Sequence, residues 1–432
     1  MSASNKKSFG EICEYYFNRF STYDYRLNTE FPEETEIILV IPSMNEPALI
    51  KTLTSLSECD EPDCKVGVIV VVNAHEGATE SIKSQNDICI EDIIEYSAQN
   101  RLSWLKIDPL NAQDLPEKDA GVGLARKIGM DEALRQFARI NANGIIVCLD
   151  ADCTVKPNYF SSIKSHYSDK GTKSACIYFE HDWSQESDPI IISGIINYEL
   201  SLRYFVEGLK FAGFPHAYHT IGSCMTLRAD TYALAGGMNK RQAGEDFYFI
   251  NKLIPMGGFG SINTTCVYPS CRTSDRVPFG TGRAMKDWKA FKHKEQNGIF
   301  LSYSFETFVD IKQTMPLLSK LYRCTESSQI DGVMAELPQS TADFFRENGL
   351  TEKVIELNGE TSSAEKFLQR LLLWWSGLRM IKYVHYARDN HYPLTDLGNE
   401  AEILLSELKE ISPGKGDAAS LLHVFRRLEL NS

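Results

Sequence analysis

The run EIILVIP at residues 36–42 and the run VGVIVVV at residues 66–72 decide the fold class. Both runs are continuous, apolar and rich in β-branched residues, which is typical of strands buried on both faces of a parallel sheet. A helix predicted over 48–57 lies between them and completes a βαβ unit. A helix over Gly121–Ile140 and a third buried strand over Gly144–Leu149 follow. This alternation predicts an α/β fold with a doubly wound, mostly parallel sheet and helices on both of its faces.

Helical periodicity marks both ends of the chain. Residues 8–20 are predicted to form a helix before the first strand, and a short strand is predicted over Ser103–Ile107. Beyond residue 300, Glu365–Arg388 and Asn399–Ile411 have the apolar spacing of helices. We therefore expect an N-terminal helical extension over 1–35, an α/β domain over 36–300 and an α-helical accessory region over 301–432.

The composition excludes several classes of protein. The 432 residues are 43% hydrophobic and 24% charged, with a formal net charge of −13, which argues against a nucleic-acid-binding protein. Eleven cysteines without a CxxC pair indicate a reduced, cytoplasmic setting. The N-terminus has no secretory signal, and the apolar run Leu371–Trp375 is too short to span a bilayer. We expect a cytoplasmic protein, with at most peripheral contact with the inner face of the membrane.

Polar residues follow each predicted strand, where open α/β sheets bind their ligands. The sharpest group is Asp150-Ala151-Asp152, directly after the third buried strand. An extended backbone places residues i and i+2 on the same side, so both carboxylates can face one hard cation such as Mg²⁺ or Mn²⁺. A polar turn that caps a following helix is the structural alternative. The position at the mouth of the sheet favours the metal site.

A second acidic pair, Glu245-Asp246, opens an apolar-periodic helix after Gly244. Acidic residues are common in a first helical turn because the helix dipole favours them. A carboxylate in this position is also suited to act as the general base on a hydroxyl group. The pattern alone leaves both interpretations open.

Taken together, these motifs resemble a family-two glycosyltransferase of the GT-A fold. The resemblance covers residues 36–290 and rests on a strand ending in Pro42-Ser43-Met44-Asn45-Glu46, a strand ending at Asn73, the Asp150-Ala151-Asp152 group, Gly236-Gly237 and Glu245-Asp246. It implies a transferase that moves a sugar from a nucleoside-diphosphate-sugar donor, UDP- or GDP-linked, to a hydroxyl acceptor, with inversion at the anomeric carbon. It also implies an Mn²⁺ or Mg²⁺ cofactor.

The resemblance assigns roles to individual residues. Pro42, Asn45 and Glu46 match the motif that lines the nucleotide pocket, and Asn73 stands where the family usually has an acidic residue. Asp150 and Asp152 match the pair that binds the metal and the diphosphate, with Asp152 the better candidate for direct coordination. Asp246 matches the general base and Glu245 stands beside it in the catalytic pair.

The remaining candidate residues lie on two other segments. Gly121-Val122-Gly123-Leu124-Ala125-Arg126 matches a donor-side helix of the family, with Arg126 as a donor contact and Asp119 as a sugar contact. Close packing is an equal alternative for Gly121 and Gly123. Residues 271–294 carry seven lysines or arginines against two aspartates, and a solvated basic face is the default interpretation of such a run. From this segment we expect Arg272, Arg276 and Arg283 to contact the donor diphosphate or an anionic acceptor. His293 is a candidate third metal ligand, and a surface or hydrogen-bonded core histidine is the structural alternative.

Three alternatives remain open on the sequence. One is a retaining transferase that resembles glucosyl-3-phosphoglycerate synthase, in which the basic segment would hold an anionic acceptor. Another is a sugar-phosphate nucleotidyltransferase, although Pro42–Glu46 lacks the glycine-rich loop that such an enzyme would have. The third is a non-catalytic nucleotide-binding protein of the same fold.

Overall fold

The computed structural model describes residues 7–21, 23–273, 280–294, 299–410 and 416–431, without the side chains of 292–294. These residues divide into two compact units. The first lies within Met1–Gln185 and Thr220–Arg283, and the second within Glu186–His219 and Ala284–Ser432. The sequence-based boundaries at residues 35 and 300 lie where the composition changes, and they divide the chain into continuous segments. In the structure, each unit consists of two separate segments of the chain.

The first unit contains an eight-stranded mixed sheet in the order β3-β2-β1-β4-β7-β6-β8-β5. Strands β1, β2, β3 and β4 are parallel, and so are β6 and β8, whereas β7 runs antiparallel to both β4 and β6 and β5 runs antiparallel to β8. The bounds are β1 Thr35–Ser43, β2 Lys65–His75, β3 Leu105–Leu115, β4 Ile145–Cys148, β5 Thr154–Val155, β6 Ser174–Phe179, β7 Met225–Arg228 and β8 Phe259–Tyr268. Two further short strands, β9 Leu301–Ser302 and β10 Thr395–Asp396, pair antiparallel in the second unit.

Helices cover the sheet and make up most of the second unit. Helix α3 packs on β2 and β3, and α4 packs on β1 and β2. The bounds are α1 Phe9–Arg19, α2 Leu49–Ser57, α3 Glu80–Gln99, α4 Val122–Arg139, α5 Tyr159–His166, α6 Pro189–Phe211, α7 Ala229–Leu234, α8 Glu245–Leu253, α9 Thr281–Lys294, α10 Glu306–Thr314, α11 Ser327–Met334, α12 Gln339–Glu347, α13 Leu350–Glu360, α14 Ala364–Trp374, α15 Leu378–Asn390, α16 Leu397–Glu407 and α17 Ala418–Leu430.

The predicted fold class is confirmed, because a mostly parallel sheet carries helices on both faces and a helical region follows it. Strands β1 and β2 are buried over nearly their whole length, as their apolar runs predicted. The strand predicted over 103–107 extends instead over eleven residues, Leu105–Leu115. It is one of the two edge strands, β3 and β5, and an edge strand tolerates Pro109 because it pairs on one side only.

The second unit is held by helices that pack on α6. The helical periodicity over Glu365–Arg388 corresponds to two helices, because α14 ends at Trp374 and α15 begins at Leu378. Gly377 lies between them with a φ of +56°, a left-handed conformation that ends the helical path. In the part of the chain that the structure describes, no helix combines the length and apolarity needed to cross a membrane.

Candidate active site

The carboxyl ends of β1, β2 and β4 meet at one edge of the sheet because these strands are parallel. Pro42 pairs with Val71 and Val40 with Cys148, so the residues that follow each strand emerge side by side. Asn86 of α3, a buried residue that had no signal in the sequence, joins the loop after β1 to the end of β2. Its Nδ2 donates to the carbonyl oxygen of Asn73 at 3.1 Å, and its Oδ1 accepts from the backbone N–H of Asn45 at 3.0 Å.

Arg126, in the second turn of α4, joins the two acidic pairs. Its guanidinium is 2% exposed and donates to Oδ1 of Asp150 at 2.6 Å and to Glu245 of α8. Burial alone would lower the pKa of Arg126, but the carboxylates of Asp150 and Glu245 outweigh it and raise the pKa. A Cβ at Gly222 would lie 2.9 Å from both terminal nitrogens of Arg126, so the glycine allows the backbone to approach the guanidinium.

Asp246 is held by backbone amides at the start of α8. Its Oδ2 accepts from the N–H of Gly222 at 3.0 Å, and its Oδ1 accepts from the N–H of Phe247 at 2.7 Å. Gly244, with a φ of +68°, turns the chain into the helix immediately before the acidic pair. Burial raises the pKa values of both Glu245 and Asp246, while the charge of Arg126 opposes that rise. A carboxylate with a raised pKa is a stronger base than an exposed one.

Arg272 joins the loop after β1 to the loop after β4. Its Nη2 donates to Glu46 and lies 3.2 Å from Oδ2 of Asp152, and its Nε lies 3.3 Å from the same oxygen. Oε1 of Glu46 also accepts from the N–H of Ala48 at 2.9 Å. Burial and the neighbouring charge of Asp150 raise the pKa of Asp152, and Arg272 opposes the rise. The first-strand motif and the paired aspartates therefore form one ion-paired cluster.

The chemistry of Asp150 and Asp152 fits a hard divalent cation. Both supply carboxylate oxygens, and their side chains are 41% and 28% exposed, so a ligand can reach them. Among the residues that the structure describes, no group of three or more histidine, cysteine, aspartate or glutamate side chains is arranged to hold a metal ion. Mg²⁺-type sites commonly use one or two carboxylates and take their other ligands from substrate phosphates and water.

The other predicted residues have different surroundings. Asp119 accepts from the hydroxyl of Tyr23 at 2.9 Å and lies 3.6 Å from Nζ of Lys240. Arg283 lies in the first turn of α9 and is exposed. Arg276 and the side chain of His293 lie outside the described residues.

Gly121 and Gly123, which precede Arg126, pack closely against the segment that leads into α8. A Cβ at Gly123 would lie 2.2 Å from the carbonyl oxygen of Arg241 and 3.0 Å from Cβ of Glu245. A Cβ at Gly121 would lie 3.0 Å from Cα of Gln242. Both glycines therefore let the start of α4 approach the segment that leads into α8. This approach is what brings Arg126 within reach of Glu245.

Comparisons with known proteins identify distant structural neighbours only. No protein-family model and no curated protein matches the chain. Solved structures that resemble it include S. aureus TarS 1-349 in complex with UDP-GlcNAc, with 13% identity, a TM-score of 0.38 and coverage of 78% of this chain and 89% of that chain. The mannosyltransferase PcManGT from Pyrobaculum calidifontis, in complex with GDP-Man and Mn²⁺, has 14% identity, a TM-score of 0.35 and coverage of 98% and 95%. These TM-scores are below 0.5, so the likeness carries no conclusion about activity.

Proposed function

We propose that the protein is a metal-dependent glycosyltransferase that moves a sugar from a UDP- or GDP-linked donor to a hydroxyl acceptor with inversion. One observation carries the proposal. A single buried guanidinium, Arg126, contacts both Asp150 of the predicted metal pair and Glu245 of the predicted catalytic pair. Two motifs that lie far apart in the sequence therefore contact the same cation and lie side by side. Direct transfer requires such an arrangement, because the donor and the acceptor have to be held next to each other.

Asp246 acts as the general base in this proposal. It removes the proton from the acceptor hydroxyl while that oxygen forms a bond to the anomeric carbon of the donor sugar. The bond from the anomeric carbon to the diphosphate oxygen breaks, and the nucleoside diphosphate leaves with the bonding electrons. The backbone N–H groups of Gly222 and Phe247 hold the carboxylate in place for this step.

Donor binding is assigned to the strand ends. Pro42, Asn45, Glu46 and Asn73 line the nucleotide side in this proposal, and Asn86 links the loop after β1 to the end of β2. Asp150 and Asp152 would hold Mn²⁺ or Mg²⁺, which when bound supplies positive charge to the diphosphate. Arg272 adds a planar guanidinium suited to phosphate oxygens, and we extend the same role to Arg276 and Arg283 and a ligand role to His293.

The variant Asp246→Asn tests the assignment of the base. We expect release of nucleoside diphosphate from UDP- or GDP-hexoses, with water or a supplied glycoside as acceptor, to fall by about 10²- to 10⁴-fold, because the amide cannot take the proton. Donor binding is expected to persist, measured as the rise in melting temperature that UDP or GDP causes in the presence of Mn²⁺.

The matched control is Asp24→Asn, which removes an exposed carboxylate paired with Arg26 in the same unit. It should leave both transfer and binding unchanged. Full turnover by Asp246→Asn would overturn the base assignment. If neither UDP nor GDP raises the melting temperature, with or without Mn²⁺, the assignment of the donor class is overturned as well.

A further inference from the structure

The Arg272 guanidinium lies between two carboxylates of the donor side. It donates to Glu46, whose side chain is 3% exposed, and it contacts Oδ2 of Asp152 through both Nε and Nη2. The arginine itself is 32% exposed, so it is accessible to solvent on one side. Arg272 thus already occupies an oxygen of the carboxylate proposed for metal coordination.

Among the residues that the structure describes, negative charge exceeds positive charge around the site. Glu46, Asp150, Asp152, Glu245 and Asp246 carry five formal negative charges there, whereas Arg126 and Arg272 carry two positive charges. The two arginines differ in exposure, because Arg126 is 2% exposed and enclosed by Gly222 and two carboxylates, whereas the side chain of Arg272 is 32% exposed. Because Arg272 is partly exposed, its own charge can stay solvated when it leaves its carboxylates. The charge of Arg126 would instead lose its partners while still buried.

We propose that Arg272 is an internal counter-ion of Asp152, which a divalent cation replaces, and that the displaced guanidinium then binds the diphosphate of the donor. This inference rests on the proposed function. A divalent cation and a guanidinium repel each other at the distances required to share one carboxylate oxygen. Phosphate oxygens offer the arginine a planar, two-pronged partner in place of the carboxylates it leaves.

The exchange makes metal binding and donor binding depend on each other. Without a donor, the metal has to compete with Arg272 for Asp152, so the nucleotide-free protein binds the metal weakly. With a donor, the guanidinium gains a new partner and the metal gains phosphate ligands. Because coupling between two ligands is reciprocal, the metal should strengthen nucleotide binding by the same factor as the nucleotide strengthens metal binding.

The test measures Mn²⁺ affinity without any transfer reaction. Free Mn²⁺ is followed by electron paramagnetic resonance while the nucleotide-free protein is titrated. We expect Arg272→Gln to bind Mn²⁺ about tenfold more tightly than the unchanged protein, because the competing cation is gone. In saturating Mn²⁺, the same variant should bind UDP or GDP about tenfold more weakly, because the diphosphate loses its arginine.

Three further variants complete the experiment. Arg26→Gln removes the same charge from an exposed position of the same unit and should change neither affinity. Asp152→Asn should lose Mn²⁺ binding. Arg272→Lys keeps the charge but lacks the planar group that contacts Glu46 and Asp152 together. Its Mn²⁺ affinity should therefore lie between those of the unchanged protein and Arg272→Gln. It also tests the counter-ion role if the glutamine variant does not fold.

Two results would overturn the inference in distinguishable ways. If Asp152→Asn loses Mn²⁺ binding while Arg272→Gln and Arg272→Lys bind it no more tightly than the unchanged protein, the metal site stands and the counter-ion role fails. If neither the unchanged protein nor either Arg272 variant binds Mn²⁺, with or without nucleotide, the metal site of the proposed function fails and the counter-ion role fails with it.

Discussion

Arg126 and Arg272 each hold carboxylates that come from different parts of the chain. Arg126 contacts Asp150 and Glu245, and Arg272 contacts Glu46 and Asp152. A guanidinium offers five donors in a fixed plane, so it can orient two carboxylates at once, which an ammonium group does less well. At the scale of single residues, the geometry of the site therefore depends on two side chains that position the acidic groups.

The pH dependence of transfer tests the role of Arg126. Because burial raises the pKa of Asp246, we expect activity to be lost as the pH falls through this raised value, above the ordinary range of an aspartate. The positive charge of Arg126 opposes that rise, so Arg126→Gln should move the acid limb of the kcat/KM profile to higher pH. An acid limb that stays in place, in a variant that still folds and turns over, would contradict the electrostatic role.

The places of the four acidic residues in the fold could be predicted from the sequence, because each lies at the end or the start of a recognisable element. Asp150 and Asp152 follow a buried strand, and Glu245 and Asp246 open a helix, so local patterns placed them correctly. The contacts among them have no local signal. Arg272 meets Glu46 across 226 residues and Asp152 across 120 residues, and Asn86 lies inside a long helix that the sequence analysis did not single out. Such pairings depend on the register of the whole sheet.

At the scale of elements, the approach of α4 to the start of α8 forms the site, and Gly123→Ala tests it. The added Cβ would lie 2.2 Å from the carbonyl oxygen of Arg241, so the backbone has to move. We expect a loss of about 1–3 kcal/mol in the free energy of unfolding by urea, and a loss of transfer because Glu245 shifts away from Arg126. The control Gly10→Ala lies in α1 with no atom within 4 Å of its Cβ, and it should be neutral or stabilising. Equal effects of the two variants would contradict the packing role.

Helix α1 is held on α4 and α7 by a buried polar network. The hydroxyl groups of Tyr16 and Tyr232 each donate to Oδ1 of Asp131 at 2.6 Å, and Nζ of Lys127 donates to the hydroxyl of Tyr16 at 2.8 Å. Lys127 follows Arg126 on α4, so the network fixes the helix that carries the central arginine. These hydrogen bonds explain why the N-terminal helix packs on α4 and α7.

Tyr16→Phe removes the hydroxyl that joins this network. We expect a loss of about 1–3 kcal/mol in the free energy of unfolding, because a buried carboxylate and a buried ammonium group each lose a partner. The neighbouring variant Tyr15→Phe removes an exposed hydroxyl that contacts Arg19 and should change stability by at most about 0.5 kcal/mol. If both variants unfold at the same urea concentration, the network does not hold α1.

At the scale of the whole molecule, the second unit has its own buried ionic cluster. Arg426 of α17 makes two contacts with Glu199 of α6, at 2.7 and 2.8 Å, and Arg203 of α6 contacts Glu199 at 2.9 Å and Glu429 of α17. His219 lies 3.3 Å from Glu429. The two helices are thus joined by charges that are almost entirely removed from water.

Acid should weaken this cluster. Burial would raise the pKa of Glu429, but His219, Arg203 and Lys210 outweigh it and hold the pKa at about 2, below the ordinary 4.5. A carboxyl with a lowered pKa stabilises the folded state above the ordinary value and loses that contribution as the pH falls towards the lowered one. We therefore expect the free energy of unfolding of the second unit to fall between about pH 4.5 and about pH 2.

Glu429→Gln should remove part of this pH dependence, because the amide does not titrate. The measurement is urea unfolding between pH 2 and pH 6, followed by tryptophan fluorescence, since Trp374 and Trp375 lie in the second unit. The control Glu407→Gln changes an exposed carboxylate on α16 and should retain the full pH dependence. An unchanged profile in Glu429→Gln would contradict the contribution of the cluster.

The division of each unit into two chain segments has a consequence for folding during synthesis. The segments that form the first unit have all been made once Arg283 has left the ribosome, so the sheet and its acidic residues can assemble early. Glu199 and Arg203 of α6 form their contacts with α17 later, because their partners there are made 227 and 226 residues after them. We expect Glu199 and Arg203 to stay hydrated until then, since contacts of such sequence separation form slowly. We therefore expect the unit that carries the proposed site to become resistant to proteases first in a growing chain.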